Sequence, residues 1–284
     1  MRTLKEGSVG KAFVRLVETK TGYAGLVEIG SKRKTFQDQN KDRLWETLQR
    51  EAAKANPYFV GYDGAHARFL RIFPDGFMSQ VYLGDGEGGE RNYKLKAKSR
   101  LEDKLPLQKA RQATNAGEEI AGIYQATNLL SPFEKMRVRD ALRGPKADDF
   151  IRAAAEFTCG DRRRSLAEME RALKPYEAAK WTVVTDLPFL WRPDMHMFLK
   201  PTVTQKFAAR VGHPFQHQYS TALEIAVYES LLDLTAETRS KLSTLAPRDN
   251  IDIQSFIWVV GEYTREDEEG LVSAPAMREL RPTK

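Results

Sequence analysis

A chain of 284 residues, 41% hydrophobic and 10% aromatic, can bury a sizeable core, which excludes an intrinsically disordered protein. Its 45 Lys and Arg against 39 Asp and Glu give a formal charge of +6, which points toward a polyanionic partner. One cysteine, Cys159, rules out an intrachain disulfide and a cysteine-rich zinc site, and no run approaches the ~18 apolar residues of a spanning helix.

Met1 to Gly10 lacks the apolar run of a signal peptide, so the expected location is cytoplasmic, with no membrane association, in a sequence of bacterial style. Lys11 to Glu18 and Tyr23 to Ile29 read as strands joined by the turn Thr19-Lys20-Thr21-Gly22. Lys41 to Ala55 reads as a helix with Leu44, Trp45, Leu48 and Ala52 on one side, stopped at Asn56-Pro57. Tyr58 to Tyr62 and Ala67 to Phe73 read as further strands, with Gly61-Tyr62-Asp63-Gly64 as the turn between them. The Gly84 to Gly89 stretch reads as a solvated linker, because it lacks the Gly-Lys-Ser/Thr ending of a phosphate loop.

Beyond it the signals are helical. Ser131-Pro132-Phe133-Glu134 spells a capping box with proline at the first helical position, and Gly144-Pro145 stops that helix. Ser165 to Glu168 and Thr221 to Glu224 repeat the box, and Asp249 or Asn250 caps a last helix through Phe256 and Val260. Trp181 to Thr185 reads as an inserted strand. The expected fold class is therefore α+β: a strand-rich part over 1–83, a Gly-rich linker over 84–90, and a mainly helical part over 91–284 with a strand near 181–185.

Charge on helical faces is the strongest functional signal. Arg91 to Arg111 carries eight basic residues, Lys94 and Lys98 among them, against Glu102 and Asp103. Tyr93, Ala97, Leu101 and Leu105 recur every four residues as the expected buried stripe. Lys135, Arg139 and Arg143 share the four-residue spacing, which makes a ridge of cations opposite Phe133 and Met136. Arg162, Arg163 and Arg164 sit at a helix start, against the preference of the helix dipole. Such clusters release counterions on meeting phosphates, although a solvated face would look the same.

Two aromatic segments add to this. In Asn56 to Gly64, Tyr62 is a candidate to stack on an unpaired base; a core strand is the alternative. Leu187 to Pro201, an irregular segment with three prolines, gathers Phe189, Trp191 and Phe198 around Arg192, Asp194, His196 and Lys200. There Asp194 is a candidate general base with His196 beside it, Trp191 a stacking platform, and Lys200 an anion holder. The alternative is a packed connector in which Asp194 pairs with Arg192 or a backbone amide. His213 and His217 have helical spacing, but Pro214 between them argues against a metal-binding helix. No cofactor motif stands out.

Pro247-Arg248-Asp249-Asn250-Ile251-Asp252-Ile253-Gln254-Ser255-Phe256-Ile257-Trp258 resembles phrases in uncharacterised bacterial proteins, some of them similar to restriction-type proteins that act on modified DNA. That resemblance implies DNA as the partner and bacterial defence or DNA metabolism as the setting. The expected function is DNA binding joined to a glycosylase-like base-processing activity. Such an activity needs a carboxylate, an aromatic pocket and a cationic grip, but no metal or cofactor. The rival expectation is a non-catalytic protein whose basic surface meets an acidic protein partner.

Overall fold

Three successive hairpins open the chain, where the sequence announces only one. The computed structural model describes residues 1–9, 11–84 and 89–263. Strands β1 (Arg2–Val9), β2 (Ala12–Thr19), β3 (Gly22–Ile29) and β4 (Lys32–Asp38) form one antiparallel sheet in that order. The turn from Thr19 to Gly22 sits where expected, with Thr19 Oγ1 donating to the Gly22 carbonyl at 3.0 Å. Gly30, at φ 58°, provides the left-handed residue of the next turn. β1 and β4 are mostly exposed edge strands, so their sequences lack the apolar alternation that reveals β2. In β2, Ala12, Val14 and Leu16 are buried and Arg15 between them is exposed. The buried row packs on Leu44, Leu48 and Ala52 of helix α1 (Lys41–Ala53), which Asn40 caps by accepting from the amides of Asp42 and Arg43.

The rest is helical. In order come α2 (Gly61–Ile72), α3 (Gln80–Leu83), α4 (Asn92–Lys104), α5 (Leu107–Ala110), α6 (Gly117–Ala126), α7 (Pro132–Leu142) and α8 (Ala147–Cys159). Then come α9 (Arg162–Leu173), α10 (Trp181–Trp191), α11 (Pro201–Val211), α12 (Phe215–Gln218), α13 (Ile225–Lys241) and α14 (Asn250–Glu262). The architecture is α+β, as the sequence leads one to expect.

Three expected strands are absent: Tyr58 to Val60 is turn and loop, with Gly61 and Tyr62 opening α2, and the other two are helices. In α2, Ala65, Phe69 and Ile72 are the buried positions, a spacing of four and three that belongs to a helix. Helix α10 replaces the strand expected at 181–185. All its 11 residues are buried, so no periodicity marks it, and its Val and Thr pairs mimic a strand. The capping box of α7 forms as expected, but that helix ends at Leu142, ahead of Gly144. Ser165 lies inside α9, and α13 begins after Glu224 with no side-chain cap, so neither expected box caps a helix.

The apolar clusters also divide earlier than expected. The sheet and α1 share one cluster, while α2 and α3 contribute Phe69, Ile72 and Tyr82 to the helical core. Residues 85–88 of the expected linker lie outside the described residues. Arg50 of α1 ties the two clusters together through Glu237 of α13 at 2.6 Å. No described helix is long and apolar enough to cross a membrane.

Gly117 starts α6 against the end of α7. A Cβ there would fall 2.0 Å from the Leu142 carbonyl oxygen, so the two backbones meet at a distance only glycine allows. Gly117→Ala should cost about 1–3 kcal/mol through overpacking, read as a lower midpoint in urea with an unchanged slope. An unchanged midpoint would show that the two helices separate freely.

Candidate ligand cleft and basic surface

In α10, against which α4, α8 and α9 pack, the core contains a carboxyl group with no partner. Asp186 is fully buried, and neither of its oxygens receives a hydrogen bond within the protein. Burial pushes its carboxyl up to about 8, and the charge of Lys135 opposes this only in part. Tyr124 and Tyr93 stand within its electrostatic reach. Tyr124 is held in place by donating from Oη to the Val183 carbonyl at 2.8 Å.

Tyr93 also lines a cleft of about 180 Å³ with Glu90, Asn128, Leu129, Phe198, Lys200, Gln254 and Trp258. That volume far exceeds the ~10–15 Å³ a single water needs. Its walls come from α4, the segment after α6, the segment before α11, and α14. Three of the liners are aromatic. Gln254 Oε1 is buried without a partner, as is Thr127 Oγ1 next in sequence to Asn128. Lys200 Nζ donates to the Leu129 carbonyl at 3.1 Å and lies 3.9 Å from Glu134. Glu90 accepts from Tyr263 Oη at 2.8 Å and lies 3.5 Å from Lys94 Nζ. The cleft thus offers flat apolar walls, and buried polar atoms lie in or beside it.

Behind the cleft a charged network pins α14 to α4. Asp252, fully buried, accepts from Tyr82 Oη at 2.6 Å, Arg91 Nη1 at 2.8 Å and the Arg248 amide at 2.9 Å. Burial alone would raise its carboxyl, but the hydrogen bonds from Arg248 and Tyr82 and the Arg91 charge hold it below the ordinary value. Arg91 also grips Asp249 with two bonds of 2.7 Å. The Pro247 to Trp258 phrase therefore supplies three members of this network and, through Gln254 and Trp258, one wall of the cleft.

The expected site residues fall in different places. Asp194 sits at the surface in a bidentate pair with Arg192, at 2.7 and 2.9 Å, so the packed-connector alternative describes it. Hydrogen bonding from Arg192 keeps its carboxyl low, which makes it a poor base. His196 is fully buried, with Nδ1 2.8 Å from Tyr228 Oη and Nε2 3.0 Å from the Thr158 carbonyl. Burial pulls it down to about 4. Trp191 is buried and donates from Nε1 to the Leu105 carbonyl, so it is no stacking platform. Tyr62 is half-buried against the core, packing edge-on on Phe207 and bonding Thr238. Only Lys200 of that group reaches the cleft.

Among the cations, Lys94 is wholly buried, because it shares the inward stripe of α4 with Ala97 and Leu101. Its amine bonds Ser255 Oγ at 2.7 Å, and burial pulls it down to about 8. Lys98 reaches the Trp191 carbonyl at 3.4 Å. The α7 ridge is largely engaged: Lys135 donates to the Gln125 carbonyl and Arg143 pairs with Glu118 at 2.7 Å. Arg139 lies 3.8 Å from Asp140. Phe133 and Met136, expected opposite that ridge, are 76% and 45% exposed. Arg164 pairs with Glu168, while Arg162 and Arg163 border a shallow recess beside Cys159. His213 is buried against Asp233 at 3.1 Å, and among the described residues no three His, Cys, Asp or Glu are grouped to hold a metal.

Excess charge lies instead in the sheet unit. Residues 1–43 hold ten Lys and Arg against five Asp and Glu, a net +5 out of the chain's +6. No protein-family model matches the chain, and no curated protein or solved structure is recognisably similar to it.

Proposed function

We propose that this chain processes a base of DNA in the manner of a glycosylase, taking an extruded base into the aromatic cleft that Tyr93 lines within electrostatic reach of Asp186. One observation carries the reading: a buried carboxyl group pushed up to about 8, without a protein partner, stands within electrostatic reach of Tyr93, which lines a cleft with Phe198 and Trp258. Flat walls suit a planar ring, and Gln254 and Asn128 suit the polar edge of a base. A neutral acid can give a proton at pH 7, which an ionised carboxylate cannot.

The reaction balances without a metal. The bond from sugar C1′ to the base nitrogen breaks, its electron pair leaves with the base, and the Asp186 proton neutralises that nitrogen. Water then bonds to C1′ and returns one proton to the Asp186 carboxylate. Lys200, which lines the cleft, would meet a flanking phosphate in this reading.

The test is to incubate the full chain with duplex and single-stranded DNA, modified and unmodified, then to add alkali and chromatograph released bases. Breaks confined to one base type, with that base free in solution, are the expected result. DNA binding with no base released from any substrate would overturn the catalytic reading.

A second reading rests on the exposed pair Phe133 and Met136 beside Lys135 and Arg139, the kind of apolar and basic patch an acidic protein partner would cover. It predicts binding that Phe133→Ser removes and that DNA does not compete for.

A further inference from the structure

We infer that Gln254 is the specificity-determining residue of the cleft, and that its amide selects adenine by pairing with the exocyclic amine of that base. The inference rests on the base-binding reading above, since it names the base that the same cleft takes, but it does not rest on base release.

Gln254 is only 5% exposed, yet it lines the cleft. Its Oε1 is fully buried without a hydrogen bond, and among the described residues no group bonds its amide nitrogen either. An acceptor taken out of water and left unpaired costs free energy, which an incoming N–H donor restores. The two charged liners are already engaged. Glu90 accepts from Tyr263 Oη and lies 3.5 Å from Lys94, while Lys200 donates to the Leu129 carbonyl and lies 3.9 Å from Glu134. Their charges also offset one another, so the cleft suits a neutral ligand. Tyr93, Phe198 and Trp258 make that ligand a flat ring.

The amide is held in place from several sides. Asp249 caps α14 by accepting from the Ile251 amide, and Arg91 grips the same carboxylate. One residue beyond Gln254, Ser255 Oγ accepts from Lys94 Nζ at 2.7 Å. Gly261 brings the far end of α14 so near α11 that a Cβ there would fall 2.8 Å from the Val203 carbonyl oxygen. Gln254 and Trp258 are four residues apart, so the amide and the indole share the face of α14 that walls the cleft. A ring taken between the aromatic walls therefore meets an amide whose backbone does not move to reach it.

The unmet group decides the class of ring. Oε1 is the end of the amide that is sealed from solvent, so its donor must reach into the wall. An exocyclic amine projects beyond its ring and can do so. The ring N–H of thymine is recessed between two carbonyl oxygens, which Oε1 would repel. Adenine places an acceptor, N7, next to its N6 amine, and a glutamine amide meets that edge with two bonds. Its fused rings also cover more of the three aromatic walls than a single ring would.

The test measures binding of free adenine, purine and thymine to the full chain by equilibrium dialysis, for the parent and for Gln254→Leu. Purine keeps both rings and lacks the amine. The parent should bind adenine ~10-fold more tightly than purine or thymine, the scale of one hydrogen bond to an otherwise unpaired group. Gln254→Leu should weaken adenine ~10-fold and leave purine within ~2-fold, so that the discrimination disappears. A side chain that only supported the fold would change both rings alike. Melting curves report whether the variant folds; if it does not, the adenine-to-purine ratio of the parent still decides. On DNA, adenine should be the base released, and Gln254→Leu should slow that release ~10-fold or more.

Equal binding of adenine and purine by the parent, or a preference that persists in Gln254→Leu, overturns the inference. Preferential release of any other base also overturns it and leaves the glycosylase reading in place. A parent that binds none of the three rings overturns it as well, whatever it does to DNA. Adenine bound through Gln254, with no base released from any DNA, supports the inference and removes only the catalytic reading.

Discussion

Asp186→Asn is expected to lower base release by ~10²–10⁴-fold, the range a positioned general acid contributes, with nucleic-acid affinity unchanged. Asparagine keeps the shape and the polarity but has no proton to give. The pH profile should separate a chemical role from a structural one. With its carboxyl pushed up to about 8, Asp186 is an active acid through neutrality, and the rate should fall as pH rises through that value. The residual rate of the Asn variant should not show that alkaline limb. A variant that retains the parental rate and the same limb would remove Asp186 from the chemistry.

Stability supplies a second reading of the same group. Its folded-state value lies above the ordinary 3.8, so the folded protein holds a proton that the unfolded chain releases. The contribution of Asp186 is therefore fully present below pH ~4 and is lost progressively as pH rises toward 8, at about 1.4 kcal/mol per pH unit. Relative to Asp186→Asn, the parent should lose stability across that window and run parallel to the variant above it. Urea midpoints of the two proteins at pH 5, 6 and 7 check the sign. Parallel lines across the window would mean that the carboxyl is ionised and solvated.

How far the sequence revealed this arrangement depends on the signal each residue leaves. The β2–β3 hairpin, helix α1 and the Ser131 to Glu134 box were legible because turn chemistry, apolar spacing and capping are local. Asp186 was not. It sits in Trp181–Trp191, where burial on every side erases the period that marks a helix, and Thr-Val-Val-Thr imitates a strand. The site was instead sought at Asp194, whose proline-rich surroundings look functional but whose charge Arg192 neutralises two residues away. Lys94 was legible as a cation and misleading as a surface one. Only the contact with Glu90 and Ser255, the latter 161 residues distant, explains why a charge lies on the inward stripe of α4. The Pro247 to Trp258 phrase was legible as a capped helix with Ile253, Phe256 and Ile257 buried, and nothing in its residues alone marks Gln254 and Trp258 as lining a cleft.

Arg91→Met should be among the most destabilising single substitutions in the chain, at about 3–5 kcal/mol, because it leaves a buried charge behind. Asp252 is fully buried, and Arg91 is one of three side chains that satisfy it. Methionine fills similar space but neither neutralises Asp252 nor holds Asp249, which Arg91 grips with both terminal nitrogens. Arg91→Lys should recover only part of the loss, since one ammonium cannot reproduce the two-pronged contact. Combining Arg91→Met with Asp252→Asn should cost less than the sum of the two, the mark of residues that act as a pair. The pH dependence runs opposite to that of Asp186. Asp252 lies below its ordinary value, so its contribution is present above pH ~4 and is lost as pH falls through the lower folded-state value. Arg91→Met should therefore shrink the parent's acid sensitivity as well as its stability. The same network fixes α14, with Gln254 and Trp258, against α4, with Tyr93, so the variant should also release bases more slowly at temperatures where it is still folded. A melting midpoint within about 1 °C of the parent, well under the ~2–4 °C per kcal/mol expected at this size, would show that Arg248 and Tyr82 suffice for Asp252 and that Arg91 does not anchor the cleft.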